Sequence, residues 1–199
     1  MPAQDENYWS ENDDPYLEPA TKILKNIPNL KTIAQLEEYE SLVFQANFPE
    51  ALETALNSSP DLDLWKDIHR ICFKDIYEWA GNIRTIRVSK GTTVFAYPEH
   101  IENASQKIFD QYQVLADFGG LTLEKIADTI GELNVIHPFR EGNGRTLRIL
   151  LEAMCAKIGH DIDYGLTDQN EQTEAFVKSY QGDNFSLTSL LKKITKIKN

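Results

Sequence analysis

Residues 137–148, His-Pro-Phe-Arg-Glu-Gly-Asn-Gly-Arg-Thr-Leu-Arg, bring a titratable base, an acid, a glycine-rich turn and two cations into one short segment. His137 stands before Pro138, whose ring disfavours the helical conformation for the residue that precedes it. The helix that contains "IGELNVI" should therefore end near His137 and leave the imidazole in a loop. A neutral imidazole there can accept a proton from a hydroxyl group near pH 7, although a lone histidine at a helix end is more often structural.

The turn Gly142-Asn143-Gly144 opens the next predicted helix. The first backbone N–H groups of a helix have no partner within the helix, and the helix dipole is positive at that end. Two glycines let a ligand approach this backbone closely, and phosphate is the usual anion at such a place. The alternative is a plain capped turn, which would be favoured if no cations accompanied it.

Arg145 and Arg148 are three residues apart and therefore lie on the same face of that helix, beside the turn. Their guanidinium groups are fork-shaped donors that suit phosphate. Glu141 would be repelled by phosphates unless a cation lay between them, and Mg²⁺ typically binds one or two carboxylates together with substrate phosphates. Glu141 could also act by favouring the positive end of the helix. The segment thus predicts a nucleotide triphosphate site with a base beside it, although the Walker A spacing is absent.

The composition fits one domain without a membrane span. The chain has 199 residues, of which 41% are hydrophobic, and no stretch approaches the roughly 20 apolar residues of a membrane helix. Its net charge of −11 argues against general binding to nucleic acid. Cys72 and Cys155 lack CxxC spacing and are predicted to be buried thiols in a reducing compartment. The acidic start is not a signal peptide. We predict a polar N-terminal arm over residues 1–15 and one domain over residues 16–199.

Hydrophobic periodicity predicts a mainly α fold. The expected helices cover residues 33–56, a segment that starts at Asp61 or Asp63 and ends at Gly81, and residues 99–118, 121–136, 143–158, 167–180 and 186–197. Residues 83–100 differ, because β-branched and aromatic residues alternate there and Lys90-Gly91 fits a hairpin turn. An isolated hairpin is barely stable, so we expect this single β-hairpin to pack over other elements as a flap.

The segment from His137 to Arg148 matches the motif HPFx[D/E]GNGRxxR at every position, and the chain therefore resembles the Fic family. Three further segments resemble the family: "DPYLEPATKILKN" near the N-terminus, "IHRICFKDIYEWAGNIRTI" leading into the flap, and "SKGTTVF" in the flap. The resemblance covers about residues 15–185 and implies a Fic-type helical domain.

The resemblance implies protein adenylylation, in which AMP is transferred from Mg·ATP to a hydroxyl side chain of a target protein. His137 would take the proton from that hydroxyl, and Glu141 would hold Mg²⁺ between the α- and β-phosphates. The nucleotide phosphates would be bound by an anion hole and two arginines, namely Gly142, Asn143, Gly144, Arg145 and Arg148.

The resemblance also implies that the flap docks the target protein by strand addition. The flap residues expected to do so are Ser89, Thr92, Thr93, Val94 and Phe95. Lys90 and Gly91, at the hairpin turn, are predicted to contribute to the nucleotide site. Tyr180 and Gln181 are predicted to form the edge of the adenine pocket, with packing of the last helix as the alternative.

Regulation is predicted to act on Arg148. Many Fic proteins are inhibited by a helix with the motif [S/T]xxxE[G/N], whose glutamate pairs with the second motif arginine. Residues 167–172 fail this motif at its last position, and residues 179–184 have Asp in place of Glu and an internal glycine. We therefore predict a separate small helical antitoxin, or else an effector's Fic domain cut from a longer chain. The protein would act in the bacterial cytoplasm or, as an effector, inside a host cell.

Other functions stay open at this point. Relatives within the family transfer other phosphate-containing groups, and the intact GNGR with both arginines favours the ordinary orientation of ATP. A nucleotide-binding module kept silent by its partner is the alternative from another class, and a motif that is only a capped helix is the plainest one. The family offers bacterial topoisomerase subunits and host small GTPases as classes of target.

Overall fold

A computed structural model describes residues 8–10, 14–90 and 93–198 of the chain, and it is mainly helical, as predicted. Most of the predicted helices occur with boundaries within a few residues of those expected. The helices of the described residues are α1 (Ile33–Leu56), α2 (Leu62–Phe73), α3 (Pro98–Asp117), α4 (Leu123–Ile136), α5 (Asn143–Lys157), α6 (Gln169–Tyr180) and α7 (Asn184–Ile194).

Helix α5 is the central element of the core. It packs against α1, α2 and α4, and its side chains are buried on most of its circumference. Its apolar side chains lie in or against this core, at Leu147, Leu150, Leu151, Met154 and Ile158. Because burial of apolar surface is the main favourable term in folding, the start of α5, which carries the motif turn, is fixed by the best-packed part of the molecule.

Helix α2 begins as predicted but is shorter than predicted. Asp61 is its N-cap, and the carboxylate accepts a hydrogen bond from the backbone N–H of Leu64 at 2.7 Å. The helix ends at Phe73 rather than near Gly81, because the chain then folds back onto it. The backbone N–H of Gly81 donates to Nδ1 of His69 at 2.9 Å, and Gly81 has a left-handed φ of 81°. These contacts place the segment after Phe73 against the side of α2.

The flap is part of a three-stranded antiparallel sheet rather than an isolated hairpin. The strands in chain order are β1 (Tyr8–Ser10), β2 (Val88–Lys90) and β3 (Thr93–Val94), and β2 lies between the other two. Strand β1 pairs with β2 in the register Trp9↔Ser89. Sequence reasoning did not predict β1, since a three-residue strand gives no periodicity signal.

A second sheet corrects the prediction for the C-terminus. Strands β4 (His160–Ile162) and β5 (Thr195–Ile197) pair antiparallel, and a short 3₁₀ helix (Tyr164–Leu166) follows β4. The helix predicted over 186–197 therefore ends at Ile194. Its last residues are β-branched at alternate positions, which suits an edge pairing better than a final helical turn.

Three further predictions concern the chain as a whole. Cys72 and Cys155 are free and buried, as predicted, and burial raises the pKa of each thiol to about 12. Within the described ranges, no helix is both long enough and apolar enough to span a bilayer. Residues 1–7 and 11–13 of the predicted arm lie outside the described residues, so the division at residue 15 stays a prediction.

Candidate active site

His137 lies at the C-terminal end of α4, where the proline rule placed it. It is the C-cap, in a left-handed conformation with φ 51° and ψ 64°. Its Nδ1 lies 3.2 Å from the carbonyl oxygen of Asn134. Because a carbonyl oxygen can only accept, Nδ1 carries the proton in this contact, and Nε2 is left with a lone pair. The geometry therefore gives an imidazole whose free nitrogen can accept a proton.

The flap covers this imidazole. The ring of Phe95 stacks on His137 with the ring centroids 3.7 Å apart and the planes inclined by 11°. Burial, with smaller contributions from the charges of Arg84 and Lys90, lowers the pKa of His137 to about 3. The half-buried imidazole is therefore neutral at pH 7, which is the protonation state that a general base needs.

The motif turn is anchored in the core by Phe139. This ring is fully buried, stacks on His69 with a centroid distance of 3.9 Å, and meets Trp65 edge-on at 5.6 Å. The side chain of Asn143 closes the turn, because it accepts from the backbone N–H of Phe139 at 2.9 Å and donates to its carbonyl at 2.8 Å. Phe139 thus fixes the loop in the core, and Asn143 holds the loop as well.

His69 supports the same turn from α2, and sequence reasoning missed it. Its side chain is completely buried, and Nε2 lies 2.9 Å from the carbonyl oxygen of Glu141. Burial lowers the pKa of His69 to about 3 and keeps the ring neutral. Since Nδ1 accepts from Gly81, Nε2 carries the proton and donates to Glu141. Its position on the apolar face of α2, among Trp65 and Phe73, was the available signal.

The two glycines of the turn are in different environments. Gly142 has a left-handed φ of 82°, and a Cβ atom there would lie 2.5 Å from the ring of Phe73. Gly144 is exposed, and the nearest atom to a Cβ there would be a guanidinium nitrogen of Arg148 at 3.7 Å. Gly142 is thus required by the fold, whereas Gly144 is an exposed position at the positive end of α5 where a Cβ would meet no steric obstacle.

Glu141 lies in a negative environment that suits a cation. Its carboxylate accepts from the backbone N–H of Gly142 at 2.8 Å. Burial and then the charge of Glu40 raise its pKa. Among the described residues, no group of three or more His, Cys, Asp or Glu could hold a metal ion. A single carboxylate with phosphate oxygens is a donor set that fits Mg²⁺.

Arg145 is held by a buried acid on α1. Its guanidinium donates to Glu40 at 2.8 Å, and Glu40 is only 1% exposed and also accepts a hydrogen bond from the hydroxyl of Tyr77. Arg145 lies 3.7 Å from Glu141 and over the ring of Phe73, 4.7 Å from its centroid. The structure therefore places Arg145 in an ion pair between α1 and α5. Glu40 was not predicted, although it is an acid within the buried face of α1.

Arg148 is in a different environment, although it is one turn further along the same helix. It is half-buried, and its guanidinium lies over the ring of Phe176, 5.0 Å from the centroid. Nη1 makes a long hydrogen bond of 3.4 Å to the carbonyl of Gly144. Nε is buried without a hydrogen-bond partner, and within residues 14–90 and 93–198 no carboxylate forms an ion pair with Arg148. This arginine is therefore available to an anion.

The described flap residues differ in burial, and Phe95 contacts His137. Phe95 is buried against the imidazole, Ser89 is nearly buried in β2, and Val94 is 44% exposed. Thr93 pairs with Lys90 across the hairpin. Gly91 and Thr92, which were predicted for the nucleotide site and for docking, lie outside the described residues.

Tyr180 lies beside the flap at the end of α6. Its hydroxyl donates to the carbonyl of Val94 at 2.7 Å, and its ring meets Phe95 edge-on at 5.7 Å. Gln181 is exposed at the C-cap of α6. The adenine-pocket role predicted for both residues stays a prediction, and only Tyr180 reaches a residue that contacts His137.

Comparisons with known proteins can be set beside this geometry. The sequence model of the Fic/DOC family matches residues 59–155. Protein adenylyltransferase VbhT from Bartonella schoenbuchensis is 34% identical over 186 residues, which are 92% of this chain and 39% of VbhT. Probable protein adenylyltransferase y4lH from Sinorhizobium fredii is 34% identical over 192 residues, 92% of this chain and 96% of y4lH. The chain thus spans about two fifths of VbhT but nearly all of y4lH.

Solved structures agree on the fold. BepC from Bartonella tribocorum, with bound AMPPNP, superposes with a TM-score of 0.78 at 24% identity, over 93% of this chain and 98% of that one. The N-terminal Fic domain of a putative cell filamentation protein from Bartonella quintana, with bound ADP, gives a TM-score of 0.79 at 23% identity, over 93% and 96%. The predicted fold class, a helical domain of this type with a flap, is confirmed.

Proposed function

This chain belongs to the Fic/DOC family, and we propose that it is a protein adenylyltransferase in which His137 is the general base. VbhT is named a protein adenylyltransferase and y4lH a probable one, which supports transfer of AMP. The observation that carries the proposal for this chain is the imidazole itself. It is neutral, its Nε2 is an acceptor, and it stands five residues before the Gly-Asn-Gly turn that opens α5.

The proposed reaction is an in-line substitution at the α-phosphorus of ATP. The hydroxyl oxygen of a target side chain forms a bond to that phosphorus, and the proton of the hydroxyl passes to Nε2 of His137. The bond from the α-phosphorus to the bridging oxygen of the β-phosphate breaks, and pyrophosphate leaves. The products are the adenylylated target and pyrophosphate. Such chemistry depends mainly on positioning and on stabilisation of the phosphate charge, which the start of α5 provides.

The nucleotide would lie across the start of α5. Gly144 leaves space for phosphate at the positive helix end, and the free donors of Arg148 suit the β/γ end of ATP. Arg145 is held by Glu40 and would therefore stabilise the phosphates through its positive charge, without offering a free guanidinium to them. Relatives with bound AMPPNP and ADP support a nucleotide in this fold. The adenine edge at Tyr180 and Gln181, and the contribution of Lys90 and Gly91, belong to the same proposal.

Glu141 is the residue that would hold Mg²⁺. The ion would supply charge neutralisation at the phosphates as pyrophosphate leaves. The raised pKa of Glu141 beside Glu40 supports this assignment, because two acids with Arg145 between them favour a further cation. The backbone N–H of Gly142 already orients the carboxylate. This chain therefore contributes one oriented acid, and the phosphates would contribute other ligands.

The target would dock on the flap by strand addition, as the resemblance implies. One edge of β2 is already paired with β1, over Tyr8–Ser10, and the carbonyl of Val94 in β3 is bound by Tyr180. A target strand would therefore have to displace β1 or the Tyr180 contact. Main-chain pairing of this kind is largely independent of target sequence. Ser89, Thr93, Val94 and, outside the described residues, Thr92 would form this surface. Phe95 would not belong to this surface and would act through its contact with the imidazole of His137.

A small helical antitoxin would act on Arg148. The partly exposed guanidinium, which has no carboxylate partner among the described residues, supports an acidic partner there. A glutamate of the antitoxin would compete with the ATP phosphates for the same guanidinium. The alternative, an effector delivered into a host cell, is supported by VbhT and the VirB-translocated relatives being found in Bartonella. Bacterial cytoplasm and host cell are thus both proposals.

The position of the label decides between adenylyl transfer and transfer of another phosphate group. The protein is incubated with one preparation of bacterial lysate and ATP radiolabelled at either the α- or the γ-phosphate. We expect protein-bound label from the α-phosphate only, with release of pyrophosphate. Label from the γ-phosphate alone would contradict AMP transfer and favour phosphoryl transfer. No label from either, with tight binding of AMPPNP, would favour a silent nucleotide-binding module.

A further inference from the structure

Arg84 lies in the segment between α2 and the flap and is almost completely buried, with 1% of the residue exposed. Its Nε donates to the carbonyl of His137 at 2.8 Å, and Nη2 donates to the carbonyl of Ile136 at 3.3 Å. Nη1 donates to the carbonyl of Ile86 at 2.6 Å, and Nη2 donates to that of Ala96 at 2.5 Å. A single buried cation thus binds four backbone carbonyls.

The four carbonyls belong to two parts of the molecule that meet at the site. Ile136 and His137 end α4, where unpaired carbonyls and the negative end of the helix dipole favour a cation. Ile86 precedes β2 by two residues, and Ala96 follows β3 by two residues. The guanidinium therefore joins the C-terminal end of α4 to both sides of the flap.

His137 needs such support because of its backbone. Its φ of 51° lies in the left-handed region, which is unfavourable for residues other than glycine. The backbone N–H of Arg84 donates to the carbonyl of Pro138 at 2.9 Å, so Arg84 binds the carbonyls of both His137 and the residue after it. Phe95, which covers the imidazole, lies directly before Ala96, whose carbonyl Arg84 also binds.

We propose that Arg84 is a positioning residue that holds His137 and the flap in a fixed position relative to each other. This inference rests on the proposed role of His137 as the base. Through its side chain Arg84 binds the carbonyl of His137 and that of Ala96, directly after Phe95, so that the imidazole and the Phe95 ring keep one relative position. Displacement of either part relative to the other would misplace Nε2 with respect to a hydroxyl docked on the flap.

Lysine cannot replace this residue in its geometric role. An ammonium group is a compact donor without the planar fork that reaches several carbonyls in different directions. Arg84→Lys keeps the positive charge near His137, where Lys90 also contributes, but loses most of the four contacts. A change in the behaviour of His137 in this variant would therefore come from geometry and not from loss of charge. Arg87→Lys is the matched control, because Arg87 lies three residues away and its guanidinium packs on Tyr97.

The test compares the full chain with its Arg84→Lys and Arg87→Lys variants. Initial rates of AMP incorporation from α-labelled ATP into one lysate preparation are measured over a range of ATP concentrations. For Arg84→Lys we expect kcat to fall about 10- to 100-fold, as for a small misplacement of a catalytic group, with the KM for ATP within about threefold. The groups proposed to bind ATP on α5 are not touched by Arg84. Arg87→Lys should leave both values unchanged.

A second readout does not need activity. The NMR titration of the His137 imidazole in the ligand-free protein should give a pKa closer to the ordinary value in Arg84→Lys, because the loosened flap admits water. An unchanged kcat and an unchanged His137 pKa in folded Arg84→Lys would overturn the proposal. A fall of activity that only follows the unfolded fraction would do so too. If wild-type protein transfers no label, the proposed function fails instead, and the titration still tests the coupling of His137 to the flap.

Discussion

The motif turn, residues 137–144, and the flap, residues 88–90 and 93–95, touch each other but are held differently. The turn is attached to the core by Phe139 and by His69, which donates to the carbonyl of Glu141. The flap is attached at its edges, with Val94 44% exposed and Phe95 resting on His137. The motif turn is therefore built into the main core, whereas the flap, on which we propose that the target docks, packs in a separate smaller cluster.

The same contrast occurs between the two arginines of the motif. Arg145 faces the core and neutralises the buried Glu40, whereas Arg148 keeps donors without a carboxylate partner among the described residues. Two residues with one side-chain chemistry, three apart on one helix, therefore have different tasks. Arg145 supports the structure of the turn, and Arg148 is the arginine that we propose binds the ligand.

The largest expected effect on stability comes from removing the cation of the buried Arg145–Glu40 ion pair. Arg145→Ala leaves the Glu40 carboxylate buried without its cation, which should lower the free energy of unfolding by about 3–5 kcal/mol. Arg148→Ala removes a half-buried side chain with no ion pair and should lower it by about 1 kcal/mol or less. Urea denaturation of both variants measures this, and AMPPNP titration should show the greater loss of affinity in Arg148→Ala. Equal destabilisation by the two variants would contradict the division of tasks.

The control for this prediction is a double-mutant cycle. Glu40→Gln combined with Arg145→Ala should recover part of the stability that Arg145→Ala alone loses, because no buried charge is then left unpaired. Additive losses in the double variant would show that the pair does not interact in the way described.

Substitution of the two glycines of the motif turn should give the next largest effect on stability. Gly142→Ala must adopt a left-handed φ and meets the ring of Phe73 at 2.5 Å, which should cost about 2–4 kcal/mol in stability. The added Cβ of Gly144→Ala makes only an ordinary contact with Arg148 at 3.7 Å within helix α5, so the stability of this variant should be unchanged or higher by up to about 1 kcal/mol. Thermal unfolding compares the two. A stable Gly142→Ala would show that the turn is not fixed by the core.

The sequence predicted the parts of this site that local rules control. The proline rule placed His137 at a helix end, the glycines marked the start of α5, and the motif predicted the family and its adenylyl-transfer activity, which the relatives confirm. The end of α2 and the strand β1 could not be predicted in the same way. Both depend on tertiary contacts, with Gly81 folding back on His69 and β1 pairing with β2 far along the chain.

The supporting residues were missed for a related reason. Glu40 and His69 are polar residues within apolar helix faces, and Arg84 is buried in a segment outside the helices and strands. Hydrophobic periodicity does not mark such positions as supporting residues. Their partners are backbone carbonyls or a charge on another helix, which sequence spacing does not reveal. The assignment of both arginines to phosphate likewise used only their common helical face, and Glu40 distinguishes them. Magnesium, the antitoxin and the adenine pocket stay predictions.

A smaller effect is expected where the flap contacts the motif turn, at Phe95 and His137. Phe95→Ala removes the ring that buries His137, so the pKa of His137 should rise from about 3 towards its ordinary value of about 6.5. Because protonated imidazole cannot act as a base, the acid limb of the rate profile should move to higher pH by the same amount. The NMR titration of His137 measures the shift directly. An unchanged pKa would show that Phe95 does not control the base.

The central claim is that His137 accepts the proton of the target hydroxyl, and His137→Ala tests it most directly. Transfer of α-labelled AMP to lysate proteins is measured for the wild-type protein and for this variant, with AMPPNP affinity and thermal unfolding measured on the same samples. The account predicts that the variant folds and binds AMPPNP nearly as the wild type does, while its transfer rate falls by about 100-fold or more. A folded His137→Ala variant that transfers AMP at the wild-type rate would contradict the account.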